Sequence, residues 1–254
     1  MKKILFGCCV TCISFCLQAQ ETFITKGKIE FERRVNVYKD IEAWFSDDDN
    51  NGDGGFKDQI KKNLPNFKIS YFDLYFTDDK SLYKPGKETP NQNIPDWFNG
   101  PAADNVIYNN LATKEITGQK TVFDNTYLVQ DSSRKIDWRI TNDTRTIAGF
   151  ECRKAIGRIM DSVYVIAFYT EQIIPNSGPE SFSGLPGMIL GVAIPRINTT
   201  WFATKLELVA VKPEDIIQPK KGKKTNRKEL EKTLQGSLKD WGKAGQRNIW
   251  NIML

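Results

Sequence analysis

Asp47, Asp49, Asn51, Asp53 and Asp58 lie in one twelve-residue run, Asp47-Asp48-Asp49-Asn50-Asn51-Gly52-Asp53-Gly54-Gly55-Phe56-Lys57-Asp58. Oxygen ligands at positions one, three and five, glycine at six and a carboxylate at twelve match the spacing of a calcium loop. Crowded carboxylates repel one another, and a divalent cation relieves that repulsion. Two features weaken the match. Position twelve is Asp instead of the longer, bidentate Glu, and position eight is Gly54 where an apolar anchor belongs. The spacing therefore allows weak calcium binding, of order 10⁻⁴–10⁻³ M, beside the plainer reading of a solvated acidic insertion. No other cofactor is expected.

Other chemistries are excluded by absence. Among 254 residues there is no histidine, so no imidazole can serve as general base or metal ligand. Of five cysteines, Cys8, Cys9, Cys12 and Cys16 precede residue 20, leaving Cys152 alone in the body of the chain. One thiol forms neither an internal disulfide nor a thiolate zinc site. Cys152 shares an apolar strand face with Phe150, which suits a buried small side chain better than a nucleophile. Catalytic residues are not marked out, and the sequence favours a binding protein over an enzyme. Paired carboxylates acting on glycosides remain the enzymatic alternative, since that chemistry needs no histidine.

Gly184-Leu185-Pro186-Gly187-Met188-Ile189 is the most distinctive string. Two glycines around Leu-Pro specify a tight turn, because Pro fixes φ and Gly permits positive φ or close backbone approach. The turn is expected to feed a central strand and plug Leu185 into the core. A second reading makes Gly184, Leu185, Pro186 and Gly187 a lip over a ligand cavity or a docking surface. The string resembles the motif of the GLPGLI family of secreted Gram-negative proteins, with Met188 in the place of the fifth-position Leu. The run from Thr146 to Ala155, then Phe168-Tyr169-Thr170, Gly178-Pro179 and Phe182, fit the spacing of that family. The resemblance covers roughly residues 25–211 and implies no mechanism, since the family has no assigned biochemical function.

The elements that must position these residues begin with a leader. Lys2-Lys3, a fourteen-residue mostly apolar run and Gln18-Ala19-Gln20 form a secretory signal peptide over residues 1–20. A lipid anchor on one of the early cysteines is the alternative. The run spans about 21 Å as a helix, short of a bilayer core of roughly 30 Å. The expected mature chain is exported, periplasmic or outer-membrane associated, and has no transmembrane span. Removing residues 1–20 leaves 34 basic against 31 acidic side chains, a net +3. Residues 212–254 hold 11 basic and 5 acidic side chains, a net +6, leaving 21–211 at −3. Export argues against nucleic acid as the partner of this basic tail, so a solvated linker is expected there.

Period-two alternation begins at Gly27, with Ile29, Phe31, Val35 and Val37 on one face and Arg33 as its polar intruder. Short helices are expected over 41–45 and 56–64, and strands over 67–76 and 81–83. Four prolines and two glycines make 85–103 a long surface loop, with Trp97 and Phe98 pinned in it as binding candidates. Further strands are expected over 106–108, 115–123, 127–129, 136–140, 146–156, 163–169, 188–194 and 199–211. A last helix opens at Asn226 with Glu229 as capping partner, placing Leu230, Leu234, Leu238 and Trp241 on one face. The fold class is mainly β (α+β): one large curved antiparallel sheet, half-barrel-like, with a few short helices packed on one face. Residues 21–254 form a single domain carrying an acidic insertion at 46–56, the Pro-rich loop 85–103, and a basic linker plus helix over 212–245. Its expected partner is an apolar ligand or an envelope protein, and a structural role in a surface complex is the third reading.

Overall fold

Alternation of apolar and polar side chains builds almost the whole molecule. The computed structural model describes residues 23–44, 54–89, 92, 94–95, 100–160 and 162–254. The strands are β1 (Gly27–Asn36), β2 (Phe67–Phe76), β3 (Lys80–Pro85), β4 (Val106–Asn110), β5 (Glu115–Val122), β6 (Asn125–Ser132), β7 (Arg139–Ile147), β8 (Phe150–Ile159), β9 (Val163–Thr170), β10 (Met188–Ile194), β11 (Thr199–Glu207) and β12 (Lys223–Thr225). They form one open, half-barrel-like sheet in the order β12-β6-β5-β4-β3-β2-β1-β11-β10-β9-β8-β7. Two meanders, β1 to β6 and β7 to β11, are therefore fused through the β1–β11 pair. Every pair is antiparallel except β12 on β6. Among the described residues four α-helices accompany the sheet: α1 (Val37–Trp44), α2 (Gly54–Asn63), α3 (Arg227–Ser237) and α4 (Gly242–Ile252).

The inner face carries the core. Ile29 and Phe31 of β1 oppose Leu74 and Phe72 of β2, and all four are buried. Phe72 stacks on Tyr83 of β3 with ring centres 4.8 Å apart. On the other side of β1, Phe31 opposes Ala203 and Arg33 opposes Trp201. Such cross-strand pairs are the unit in which a sheet gains stability. The polar intruder Arg33 is accommodated by laying its guanidinium over the Trp201 ring, 5.4 Å from the centroid, and by donating to the Ala103 carbonyl at 3.4 Å.

Both sheet edges are poor templates for a further strand. β7 is exposed over most of its length, carries Arg139, Asp143 and Arg145, and breaks register between Ile140 and Thr144. At the other edge, exposed Lys223 and Lys224 stand on the three-residue β12. Charge, irregularity and short length all oppose pairing with another chain. The basic linker thus has a structural use: part of it closes the β6 edge.

Three sequence expectations change. The strand expected over 136–140 starts only at Arg139, where β7 begins. The run 146–156 is not one strand but the end of β7 and the start of β8, joined by a tight turn at Ala148 and Gly149 with φ of 49° and 87°. Two successive positive φ values are those of a hairpin turn whose twist matches the strands. Trp241 leaves the α3 stripe. Leu230, Leu234 and Leu238 are buried, but α3 stops at Ser237 and Trp241 is 51% exposed, packed on Phe123 at 5.7 Å. The N-terminus of α3 is as expected, with the Asn226 side chain accepting from the Glu229 N–H at 2.9 Å.

Candidate functional site

The Gly184–Gly187 turn serves the core and the surface together. Leu185 is buried in the main core while Gly184 and Pro186 are exposed. Gly184 and Gly187 adopt φ of +96° and +125°, which side-chain-bearing residues rarely take. The Gly187 N–H donates to the Leu185 carbonyl at 2.8 Å, and the Met188 N–H donates to that of Ile173 at 2.9 Å, starting β10. Outside, the Trp138 indole N–H holds the Ser183 carbonyl at 3.0 Å, and the Asn176 side chain accepts from the Gly184 N–H. Leu185, Pro186 and Gly187 line an open groove of about 410 Å³ together with Phe23 and Ile174, which are 56% and 47% exposed. The sequence marked the turn but not these two partners. Trp97 and Phe98 lie outside the described residues, as do the expected leader 1–20 and Asp47, Asp49, Asn51 and Asp53 of the acidic run. Asp58 stands exposed on α2, and no metal-holding cluster of three ligands occurs among the described residues.

A second site lies inside the sheet, beneath α3 and α4. Residues 249–254 run across the inner face and join the main core to a satellite cluster formed by Leu230, Leu234, Val122 and Ala102. This segment is held by side chains reaching its carbonyls. The Lys120 ammonium donates to Ile252 at 2.8 Å, Arg134 donates to Met253, and the Ser181 hydroxyl donates to Leu254. A gap of about 30 Å³ remains between the segment and the wall, lined by Ile107, Ile116, Val129, Leu230, Ile252 and Met253, with Lys120, Asp131 and Arg227 among its polar groups. That space holds about one water.

Lys120 is the electrostatic centre of the gap. It is almost fully buried, and desolvation pulls its ammonium down to about 8. Glu180 opposes that fall by attraction, whereas Arg134 and Arg227 add to it by repulsion. Glu180 is itself buried, at φ +53°, and accepts from the Asn105 amide at 2.7 Å. A buried non-glycine residue in the left-handed region is held there by its surroundings. Tyr83 lies close to Glu180 and is pushed well above its ordinary range, burial being the main cause. Lys120 was detectable in sequence: Ile116, Gly118, Lys120 and Val122 share one period-two face of β5. Glu180 gives no such signal, because it sits in an irregular connection.

Cys152 is buried against the inner face, and burial lifts its thiol to about 11. Its expected role as a small core side chain agrees with that placement. Alkylation by a maleimide at pH 8 should be slower than for a free thiol by about a hundredfold or more in the native protein, and should become fast on unfolding. Fast labelling of the folded chain would contradict its burial.

Among the described residues, no helix is long and apolar enough to cross a membrane. No curated protein matches the sequence. Among solved structures, PNGF-II in space group C2 is similar over 89% of this chain and 33% of its own, at 13% identity and a TM-score of 0.50. This chain thus spans about a third of that protein, and the likeness concerns the fold alone. A second crystal form of PNGF-II gives 15% identity over 79% and 32% of the two chains, with a TM-score of 0.49. An uncharacterized conserved protein from Thermus thermophilus gives 8% identity over 82% and 93%, with a TM-score of 0.38. A family model described as "Protein of unknown function (Porph_ging)" matches residues 157–191, the stretch from β8 through the Gly184–Gly187 turn into β10.

Proposed function

We propose that this protein is an exported cell-envelope binding protein without catalytic activity, which takes an apolar ligand on the inner face of its curved sheet. The GLPGLI family is the assignment we favour for the chain, on the Gly184–Gly187 turn and its flanking strands. The observation that carries the functional reading is the way residues 249–254 occupy the inner face. They are the last turn of α4 and the two residues after it, their contact with the wall is largely apolar, and three side-chain bonds to carbonyls tie them to it. Such a segment can withdraw without breaking the sheet, and its withdrawal exposes an apolar surface of the kind that ligand sites use. The hydrolase alternative finds less support. Asp131, the carboxylate at the gap, is engaged by the backbone N–H groups of Arg227 and Ser132. The docking alternative rests on the groove beside Phe23, Ile174 and Pro186.

The test uses dodecanol below its solubility limit. Titration should raise the melting temperature and shift the emission of Trp250, and the shift should vanish in Trp250→Phe. Unchanged melting and emission up to saturation would sink the reading.

A further inference from the structure

Beside the proposed ligand site, and sharing Arg227 and Met253 with it, lies an open groove of about 620 Å³. Four cationic side chains line it, Arg134, Lys135, Arg158 and Arg227, against two acids, Asp137 and Glu231. Its floor is apolar, formed by Ile159, Met160 and Met253. Met160 and Glu231 also border a neighbouring depression of about 400 Å³ that reaches Ile249 and Trp250. The two hollows thus meet at Met160 and Glu231.

The cations are poorly compensated. Arg227 has Asp131 at 3.9 Å. Arg134 is largely buried, donates to the Met253 carbonyl, and makes no ion pair among the described residues. Burial first, and then the nearby Arg227, pull its guanidinium down to about 10, against the opposing attraction of Glu231 and Asp131. Lys135 and Arg158 are exposed and also make no ion pair among the described residues. Clustered cations beside apolar side chains favour an anion that carries a hydrocarbon tail.

We infer that this groove binds the head of an anionic single-chain amphiphile, held by Arg134, Lys135, Arg158 and Arg227, with its chain directed along Met160 and Met253 beneath residues 249–254. The inference rests on the apolar-ligand reading above and names the class of ligand. Its volume lies within the range of small-molecule sites, roughly 300–1,000 Å³.

Calorimetry on the whole protein should compare dodecyl phosphate, dodecanol and inorganic phosphate, each with the native chain and with the Lys135→Glu, Arg158→Glu double variant. Both substituted residues are exposed, and an unchanged melting temperature shows that the variant folds. The expected result is dodecyl phosphate binding at least tenfold tighter than dodecanol. The double variant should lose about tenfold or more of the phosphate-headed affinity and none of the dodecanol affinity. Equal affinities for the two alkyl compounds would overturn the head-group inference and leave the apolar-ligand reading standing. Inorganic phosphate binding as tightly as dodecyl phosphate would also overturn it, since the site would then serve a free anion. If neither alkyl compound binds, both readings fall together.

Discussion

Gly187→Ala is expected to lose about 4 kcal/mol or more of stability, placing it among the most damaging single changes in the chain. Two costs coincide at this position. Its φ of +125° disfavours any side-chain-bearing residue by ~1–3 kcal/mol. A Cβ there would also lie 2.2 Å from the Thr170 carbonyl oxygen and 3.0 Å from its carbon. Both atoms are backbone, so no side chain can swing away to relieve the clash. Moving them would displace the end of β9, where Met188 pairs with Thr170, and would strain the bond from Met188 to Ile173. The unfolded state offsets little, since restricting one glycine contributes under about 1 kcal/mol. Gly149→Ala supplies the contrast: its φ of +87° is also positive, but no atom lies within 4 Å of the added methyl group. Denaturant midpoints should therefore fall at least twice as far for Gly187→Ala as for Gly149→Ala. Similar losses in the two variants would mean that the turn does not press against β9 as described.

That turn also marks how far the sequence could be read. Period-two alternation placed β1 closely, because one buried face forces the pattern and a one-residue slip would invert it, while aromatic density marked β2 and turn residues bounded β5 and β9. It failed at residues 146–156, where the apolar positions continue through a two-residue turn of Ala148 and Gly149. Alanine is not a usual occupant of a positive-φ position, so Gly149 alone signalled the turn, too little to divide the run. Trp241 failed for a related reason: a helical stripe extrapolates a period, whereas Leu238 already ends the helix. The pairing of β1 with β11, separated by about 170 residues, leaves no local trace at all. Nor does the arrival of residues 249–254 on the inner face, although their apolar character required that they be packed.

The candidate sites divide along the same line. The Gly184–Gly187 turn was visible because its backbone demands particular residues in sequence. The gap and the basic groove draw Lys120, Arg134, Arg158, Glu180, Arg227 and Met253 from distant segments, so only the folded chain brings them together. A long-range site of this kind can be anticipated only through misfits, and Lys120 is one. A lysine on a strand face otherwise apolar is costly to bury, and the cost persists unless function or architecture retains it.

Lys120→Met tests that cost directly. In the folded protein Lys120 titrates near 8, against 10.5 for the ordinary lysine expected in the unfolded chain. Below pH 8 both states hold the proton, and the native protein bears the full burden of a buried charge, ~3 kcal/mol for a shift of this size. Between pH 8 and 10.5 the folded state has released the proton while the unfolded state keeps it, so stability rises with pH across that window. Methionine removes this contribution and fills similar volume, but it leaves the Ile252 carbonyl without its donor, a loss of ~1–3 kcal/mol at every pH. The two effects nearly cancel at pH 7, where the variant should be about as stable as the native protein. At pH 10 it should be less stable by ~2 kcal/mol. Taking the difference between the two proteins at each pH removes the titration of distant groups common to both. Urea denaturation at pH 7, 8, 9 and 10 would give the curve. A difference that stays flat from pH 7 to 10 would mean that Lys120 is solvated, and that residues 249–254 do not seal the inner face.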